Sequence, residues 1–187
     1  METTKRRLGN KLLQIYAEND DCDCIEYAVD MSNLAMVFDR LQLYPQAEKY
    51  YKQAAELKKH CGGESLSYAD TLNNLAIVYN QTSRQTEALR LHRKVLEIRE
   101  AKLGREHADF LHSLYHIGNT YELLGEYDKA IEYHAMALRN NTFSTLELAD
   151  VHGALARAYE AKGNYKKAIY YYEICLDLIE KARGCDT

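Results

Sequence analysis

The chain of 187 residues carries a formal net charge of −4 and contains 16 tyrosines, one proline and no tryptophan. This acidic balance gives no general reason to bind nucleic acid, because phosphates favour a basic protein face. No apolar run approaches the roughly 20 residues that cross a bilayer, and the stretch from Met1 to Asn10 lacks the apolar centre of a signal peptide. We therefore expect a cytoplasmic protein that binds neither nucleic acid nor a membrane.

Residues 1–20 are the first predicted element. Between residues 4 and 19, apolar side chains recur as on one face of an amphipathic helix, and they are Leu8, Leu12, Leu13, Ile15 and Tyr16. We predict a capping helix that covers the end of the structure that follows.

Residues 21–187 contain four copies of one apolar pattern, in which a small residue is followed twelve positions later by a second small residue. The first small residues are Ala35, Ala76, Gly118 and Ala156, at spacings of 41, 42 and 38. The second small residues are Ala47, Ala88, Ala130 and Ala168. Self-similarity at such a period is typical of stacked repeats.

The third copy indicates how each repeat is built. Leu114, Ile117 and Tyr121 recur at helical spacings of three and four. Gly125 is a suitable helix end, because glycine tolerates a left-handed backbone, and a second helix is predicted from Tyr127. Applied to all copies, the pattern predicts a single domain of four helical hairpins at about 25–61, 64–104, 106–141 and 144–183.

This pattern resembles the tetratricopeptide repeat, whose units carry a Leu-Gly-x-x-Tyr…Ala motif. The resemblance extends over about residues 25–183, although the motif's tryptophan and terminal proline are absent from every copy. The second copy, with segments 72–79, 96–100 and 103–107, is similar to the long repeats of about 42 residues in kinesin light chain and in bacterial arrays. The resemblance implies an all-α fold, a right-handed superhelical solenoid of antiparallel helix pairs whose first helices line a concave groove.

In such an array, the groove side of the first helices is the expected ligand site. The candidate groove residues are Asn33, Met36, Arg40, Asp70, Asn73, Asn74, Ile77, His112, Tyr115, His116, Asn119 and Arg157, with Asp150 beside them. Asparagine amides both donate and accept hydrogen bonds, so Asn33, Asn74 and Asn119 are a candidate ladder for an extended peptide backbone. Alternatively, Asn74 ties neighbouring helices together.

The groove indicates a non-catalytic scaffold that binds a protein or peptide. Its formal charges nearly balance, with Asp70 and Asp150 against Arg40 and Arg157, which favours a neutral or mildly basic segment that carries aromatic side chains. Tyr115 is a candidate pocket-forming aromatic, a residue type that often dominates binding energy. We expect no cofactor.

His112 and His116 lie four residues apart on one predicted helix, a spacing that can bring two imidazoles to one metal ion. No glutamate follows His112 as in the zincin motif, and no third ligand is evident. We therefore predict no metal site and no enzyme activity. An alternative role for the two histidines is to make ligand binding depend on pH near 6.5.

Five cysteines are an odd number, and they lack the spacing of a disulfide framework. Only two of them are close together, whereas a structural zinc site needs four ligands. We expect reduced thiols at Cys22, Cys24, Cys61, Cys175 and Cys185.

Two other interpretations of the repeats stay open. The last predicted helix is apolar on more than one side, so the chain is also a candidate homo-oligomerisation module. Its contacts in a weak homodimer would be Tyr171, Ile174 and Leu178. The chain also fits a sensor fragment of a longer signalling protein.

Overall fold

The computed structural model describes residues 21–139 and 143–184. The capping helix that we predict for residues 1–20 lies outside these ranges. Across the described residues the secondary structure is eight α-helices, without a strand. They are α1 (Asp21–Arg40), α2 (Tyr44–Gly62), α3 (Leu66–Gln81), α4 (Gln85–Leu103), α5 (Ala108–Leu123), α6 (Tyr127–Ala137), α7 (Thr145–Ala161) and α8 (Tyr165–Ala182).

The helices form the four predicted hairpins, α1/α2, α3/α4, α5/α6 and α7/α8. The two helices of each hairpin pack side by side. The second helix of the first hairpin has Pro45 in its first turn. Proline lacks a backbone N–H, and N–H groups at this position have no hydrogen-bond partner within the helix. The all-α array of helix pairs is therefore confirmed.

The small residues of the repeated pattern lie in the interior of the hairpins. All eight small residues of the repeated pattern are buried. The approach is close at Gly118, where an added Cβ would lie only 2.5 Å from the imidazole of His134. The predicted role of the small residues in helix pairing is thus confirmed.

Each hairpin turns through one residue with a positive φ. These residues are Gln42 (58°), Ser83 (60°), Gly125 (75°) and Gly163 (73°). The following backbone N–H returns to the carbonyl oxygen of an aromatic residue near the end of the first helix, as in a Schellman closure. The four bonds are Leu43 to Phe38 (2.8 Å), Arg84 to Tyr79 (2.8 Å), Glu126 to Tyr121 (2.9 Å) and Asn164 to Tyr159 (2.9 Å).

The chain divides into two compact units, an N-terminal unit that ends at Ile98 and a C-terminal unit that begins at Arg99. The boundary falls inside α4. In the N-terminal unit the core contains Ala35, Ala47, Tyr51, Leu75, Ala76, Val78, Tyr79 and Ala88. In the C-terminal unit the largest fully buried side chains include Leu111, Ile117, Val151 and Leu155.

In each unit, a buried cation near the end of the second helix of one repeat contacts the first helix of the next repeat. In the N-terminal unit, Lys58 donates from Nζ to Oγ1 of Thr71 at 2.8 Å. In the C-terminal unit, Arg99 donates to Oγ of Ser113 and to the carbonyl oxygen of Asp109, both at 2.9 Å. Burial lowers the pKa of Lys58. The sequence pattern did not predict these ties, because burial of a lysine or arginine is unusual.

The expectation of reduced cysteines is wrong for one pair. Cys24 near the start of α1 and Cys61 near the end of α2 form a disulfide, with their Cα atoms 6.6 Å apart. The two residues are 37 positions apart in sequence, but antiparallel pairing brings the start of one helix beside the end of the next. Cys175 is a free, half-buried thiol.

Within residues 21–139 and 143–184, no helix is both long and apolar enough to cross a bilayer.

Candidate functional site

In the N-terminal unit, the candidate residues of α1 are accessible. Asn33, Met36 and Arg40 are exposed and, spaced by three and four positions, they share one side of the helix. On α3, Asp70 is exposed, whereas Asn73 is buried. Asn73 therefore lies on the packed side of α3, away from the accessible side that would contact a ligand.

Asn74 connects two helices of the N-terminal unit. Its side chain hydrogen-bonds the hydroxyl of Tyr51, a buried residue of α2. Burial raises the pKa of Tyr51 to about 12, and the neighbouring Asp39 carboxylate acts in the same direction. This contact supports the alternative in which Asn74 ties neighbouring helices. Asn33, at the equivalent position of the first repeat, is exposed.

In the C-terminal unit, candidate residues converge where α5 faces the start of α7. The Nε2 atom of His112 lies 3.1 Å from Oε1 of Glu147. The His112 ring also meets the edge of Phe143, with 4.8 Å between ring centroids. Glu147 is held in place by Ser144, because its Oε2 atom accepts the Ser144 N–H at 2.7 Å. These hydrogen bonds lower the pKa of Glu147.

These side chains surround a pocket of about 40 Å³, which we call the α5–α7 pocket. It is lined by His112, Tyr115, Phe143, Glu147, Asp150 and Val151. The sequence placed His112, Tyr115 and Asp150 on this side but missed Phe143 and Glu147. Ser144 and Glu147 have the spacing of a capping box, a signal that could have placed Glu147 in the first turn of α7.

Tyr115 stands between two histidines. Its ring centroid lies 5.7 Å from that of His116 and 5.5 Å from that of His134. Burial lowers the pKa of His116 to about 4, and electrostatic interactions with His112 and Arg99 act in the same direction. His116 is therefore neutral near pH 6.5, so the alternative of a pH-dependent histidine pair is wrong for this member.

The positive charge of Arg157, on the same helix as part of the pocket lining, is compensated. Arg157 of α7 donates from Nε to Oε1 of Glu122 at 2.9 Å. Asn119 is half-buried, and its Oδ1 atom has no hydrogen-bond partner among the described residues. The described residues contain no group of three or more histidine, cysteine, aspartate or glutamate side chains arranged to hold a metal ion.

The candidate oligomer contacts of α8 are only partly accessible. Tyr171, Ile174 and Leu178 are half-buried, and Tyr171 stacks on Tyr159 of its own hairpin with 5.5 Å between ring centroids. The accessible apolar side of α8 is formed by other residues, none of which is among the predicted contacts. They are Tyr165, Ile169, Tyr172 and Leu176.

Comparison with known proteins places these hairpins in a family. Two models described as tetratricopeptide repeat match the chain, one over residues 61–142 and the other over residues 31–65 and 151–186. No match was found among curated proteins.

Solved structures show the same fold at low sequence identity. BtubC (BKLC) from P. vanneervenii is 21% identical with a TM-score of 0.79, covering 97% of this chain and 74% of that one. A Podosopora anserina protein described as a kinesin light chain with nearly identical TPR-like repeats is 21% identical with a TM-score of 0.70, covering 94% and 86%. MamA is 18% identical with a TM-score of 0.65, covering 95% and 88%. The chain belongs to the tetratricopeptide repeat family and has its all-α fold of antiparallel helix pairs.

Proposed function

We propose that the chain is a non-catalytic scaffold that binds a peptide, or an extended segment of a partner protein, on its first helices. Tetratricopeptide repeats generally mediate contacts between proteins, and their fold is generally a non-catalytic scaffold. The observation that carries the proposal is the α5–α7 pocket, where polar and apolar side chains of two first helices converge on one small opening.

The size of the pocket limits what can enter it. A volume of about 40 Å³ admits a few non-hydrogen atoms, enough for the end of one side chain but too little for a folded ligand. Phe143 and Val151 are buried apolar residues of its lining. An extended segment that inserts one small or linear side chain matches this shape.

The charges around the pocket favour a neutral or mildly basic ligand. The carboxylate of Glu147 is paired with His112, and the guanidinium of Arg157 is paired with Glu122. Asp150 is exposed and lines the pocket. A basic or hydrogen-bond-donating group next to the inserted side chain would therefore meet a favourable partner.

The test is selection from a random peptide library on the full chain, followed by titration of the enriched peptides. Asp150→Lys should weaken their affinity by roughly tenfold or more, because it inverts a charge at the pocket. Glu132→Lys is the matched control, since it makes the same charge change at an exposed position of α6. Equal affinities of the two variants would show that ligands bind elsewhere and would refute the proposal.

A further inference from the structure

Within each unit, one repeat packs on the next through a similar surface. In the N-terminal unit the second helix α2 packs against the next first helix α3, and in the C-terminal unit α6 packs against α7 in the same way. We call this arrangement the inter-repeat junction. Each junction has one side from a second helix and one side from a first helix.

The first helix α1 exposes the residues that its counterparts bury at a junction. Leu34 is 42% exposed and Val37 is 51% exposed. Their counterparts in α3, Leu75 and Val78, are 4% and 0% exposed. The counterpart of Leu34 in α7 is Leu155, which is 1% exposed. Among the described residues, nothing occupies the place on α1 that a second helix fills at the junctions.

The second helix α8 exposes the opposite side of the same junction. Tyr172 is 36% exposed, whereas its counterparts Tyr51 in α2 and His134 in α6 are 1% and 0% exposed. Ile169 and Leu176 lie three and four positions to either side of Tyr172, and they are 58% and 59% exposed. Apolar side chains at these spacings form a stripe along one side of the helix.

The two exposed sides match each other in chemistry as well as in position. At the α2–α3 junction, Glu48 of α2 forms an ion pair of 2.9 Å with Arg84, which follows α3. The residue of α8 that corresponds to Glu48 is Ile169, and the residue after α1 that corresponds to Arg84 is Leu43. Both are exposed. An apolar pair therefore replaces the ion pair, with Ile169 on α8 and Leu43 after α1.

We propose that the α8 face of one copy, Ile169, Tyr172 and Leu176, binds the α1 face of a second copy, Leu34, Val37 and Leu43. The contact repeats between copies the packing that the chain makes between its own repeats. Because the two faces differ, each bound copy keeps one face open, and association continues beyond a dimer unless a ring closes. This surface is separate from the α5–α7 pocket, so the proposal does not rest on peptide binding.

Sedimentation equilibrium of the full chain tests the proposal with two variants. The average mass of the wild type should rise with concentration past twice the 21.6 kDa of a single chain. Val37→Glu removes the α1 face and Ile169→Glu removes the α8 face, so each variant alone should stay monomeric. A mixture of the two still contains one intact face of each kind. It should form dimers and nothing larger.

Tyr170→Glu is the matched control, because it places the same charge on an exposed position of α8 outside the stripe, and it should associate as the wild type does.

Three results would overturn the proposal. The wild type could stay monomeric at every concentration. Association could be lost in Ile169→Glu and retained in Val37→Glu, which indicates a symmetric contact between α8 helices. Finally, Val37→Glu could lower the melting temperature without changing the mass, which places Val37 in a contact within its own chain, such as one with the capping helix that the sequence predicts for residues 1–20.

Discussion

Two of the four hairpin turns have a side chain where the other two have glycine. Gln42 and Ser83 adopt the left-handed backbone that Gly125 and Gly163 adopt in the later repeats. A residue with a Cβ pays roughly 1 kcal/mol or more for this conformation. The same backbone hydrogen bond closes all four turns, so packing of the helix pair holds Gln42 and Ser83 in place against their own preference.

Ser83→Gly should therefore raise the free energy of unfolding by about 0.5–1 kcal/mol, because it removes a strained conformation at an exposed position. Conversely, Gly163→Ala should lower the free energy of unfolding by about 1 kcal/mol, because it introduces a Cβ into the left-handed conformation. Urea denaturation of both variants and the wild type measures these changes. A loss of stability in Ser83→Gly would contradict the argument.

Buried histidines make the stability of the fold depend on pH. His134 is fully buried against Gly118, and its two ring nitrogens have no hydrogen-bond partner among the described residues. Burial lowers its pKa to about 4, and the nearby Arg157 acts in the same direction. An unfolded chain binds a proton at this histidine near pH 6.5, whereas the folded chain does so only near pH 4.

The free energy of unfolding should thus have its full value above pH 6.5. It should fall as the pH is lowered toward 4, and His134 should account for up to about 3 kcal/mol of this loss. His116, with its lowered pKa, contributes in the same direction. His134→Tyr introduces the residue type that the first repeat has at the equivalent position, Tyr51. It should reduce the slope of the free energy of unfolding against pH. Equal slopes in the two proteins, from chemical denaturation between neutral pH and pH 4.5, would contradict this assignment.

At the scale of elements, the start of α7 stabilises the pocket as well as the helix. Oγ of Ser144 accepts the Glu147 N–H at 3.4 Å, and Glu147 accepts the Ser144 N–H in return, which completes a capping box. The same Glu147 carboxylate contacts His112 of α5. One carboxylate therefore links a helix end to the neighbouring hairpin.

Ser144→Ala should lower the free energy of unfolding by about 1 kcal/mol, because it removes the side-chain cap of α7. Thr145→Ala is a suitable control at the adjacent exposed position and should change stability by less than about 0.5 kcal/mol. Thermal denaturation of both variants measures the difference. Similar losses in the two would show that the cap has no special role.

The disulfide between Cys24 and Cys61 joins α1 to α2 across 37 positions of sequence. A cross-link of this kind stabilises mainly by restricting the unfolded chain. Reduction should lower the free energy of unfolding by about 3 kcal/mol, measured by denaturation with and without a thiol reductant.

Cys175→Ser is the control for the disulfide measurement, because Cys175 is unpaired and its loss should leave the effect of the reductant unchanged. Peptide mapping of unreduced protein identifies the bond directly. Recovery of Cys24 and Cys61 as free thiols would contradict the assignment.

At the scale of the whole molecule, the chain offers two kinds of surface with different chemistry. The α5–α7 pocket combines apolar lining residues with charged ones, whereas the exposed sides of α1 and α8 are apolar. Apolar contacts are insensitive to ionic screening, and ion pairs between exposed groups weaken as salt rises. The two proposed activities should therefore respond differently to the same perturbation.

Self-association should persist at high salt, whereas binding of a basic peptide near Asp150 should weaken. Asp150→Lys should leave the mass distribution unchanged, and Ile169→Glu should leave the affinity for peptide unchanged. Sedimentation and peptide titration of both variants measure this independence. If either variant impaired both activities, the two surfaces would not be separate.

The repeat period determined much of this protein from sequence alone. Small residues at Ala35, Ala76 and their counterparts predicted the helix pairs, because close packing of helices every few turns is a local, periodic property. The same periodicity, together with the groove that the family resemblance implies, placed His112 and Tyr115 on the side of the pocket. Gly125 marked a turn because its conformational preference belongs to the residue itself.

Contacts between helices were decided by the tertiary structure. The bond between Cys24 and Cys61, the tie from Asn74 to Tyr51 and the pairing of His112 with Glu147 each join residues of different helices. Periodicity shows which side of a helix is apolar. Which side chains meet depends on the rotation and offset of two helices, and those are set only when the whole core packs.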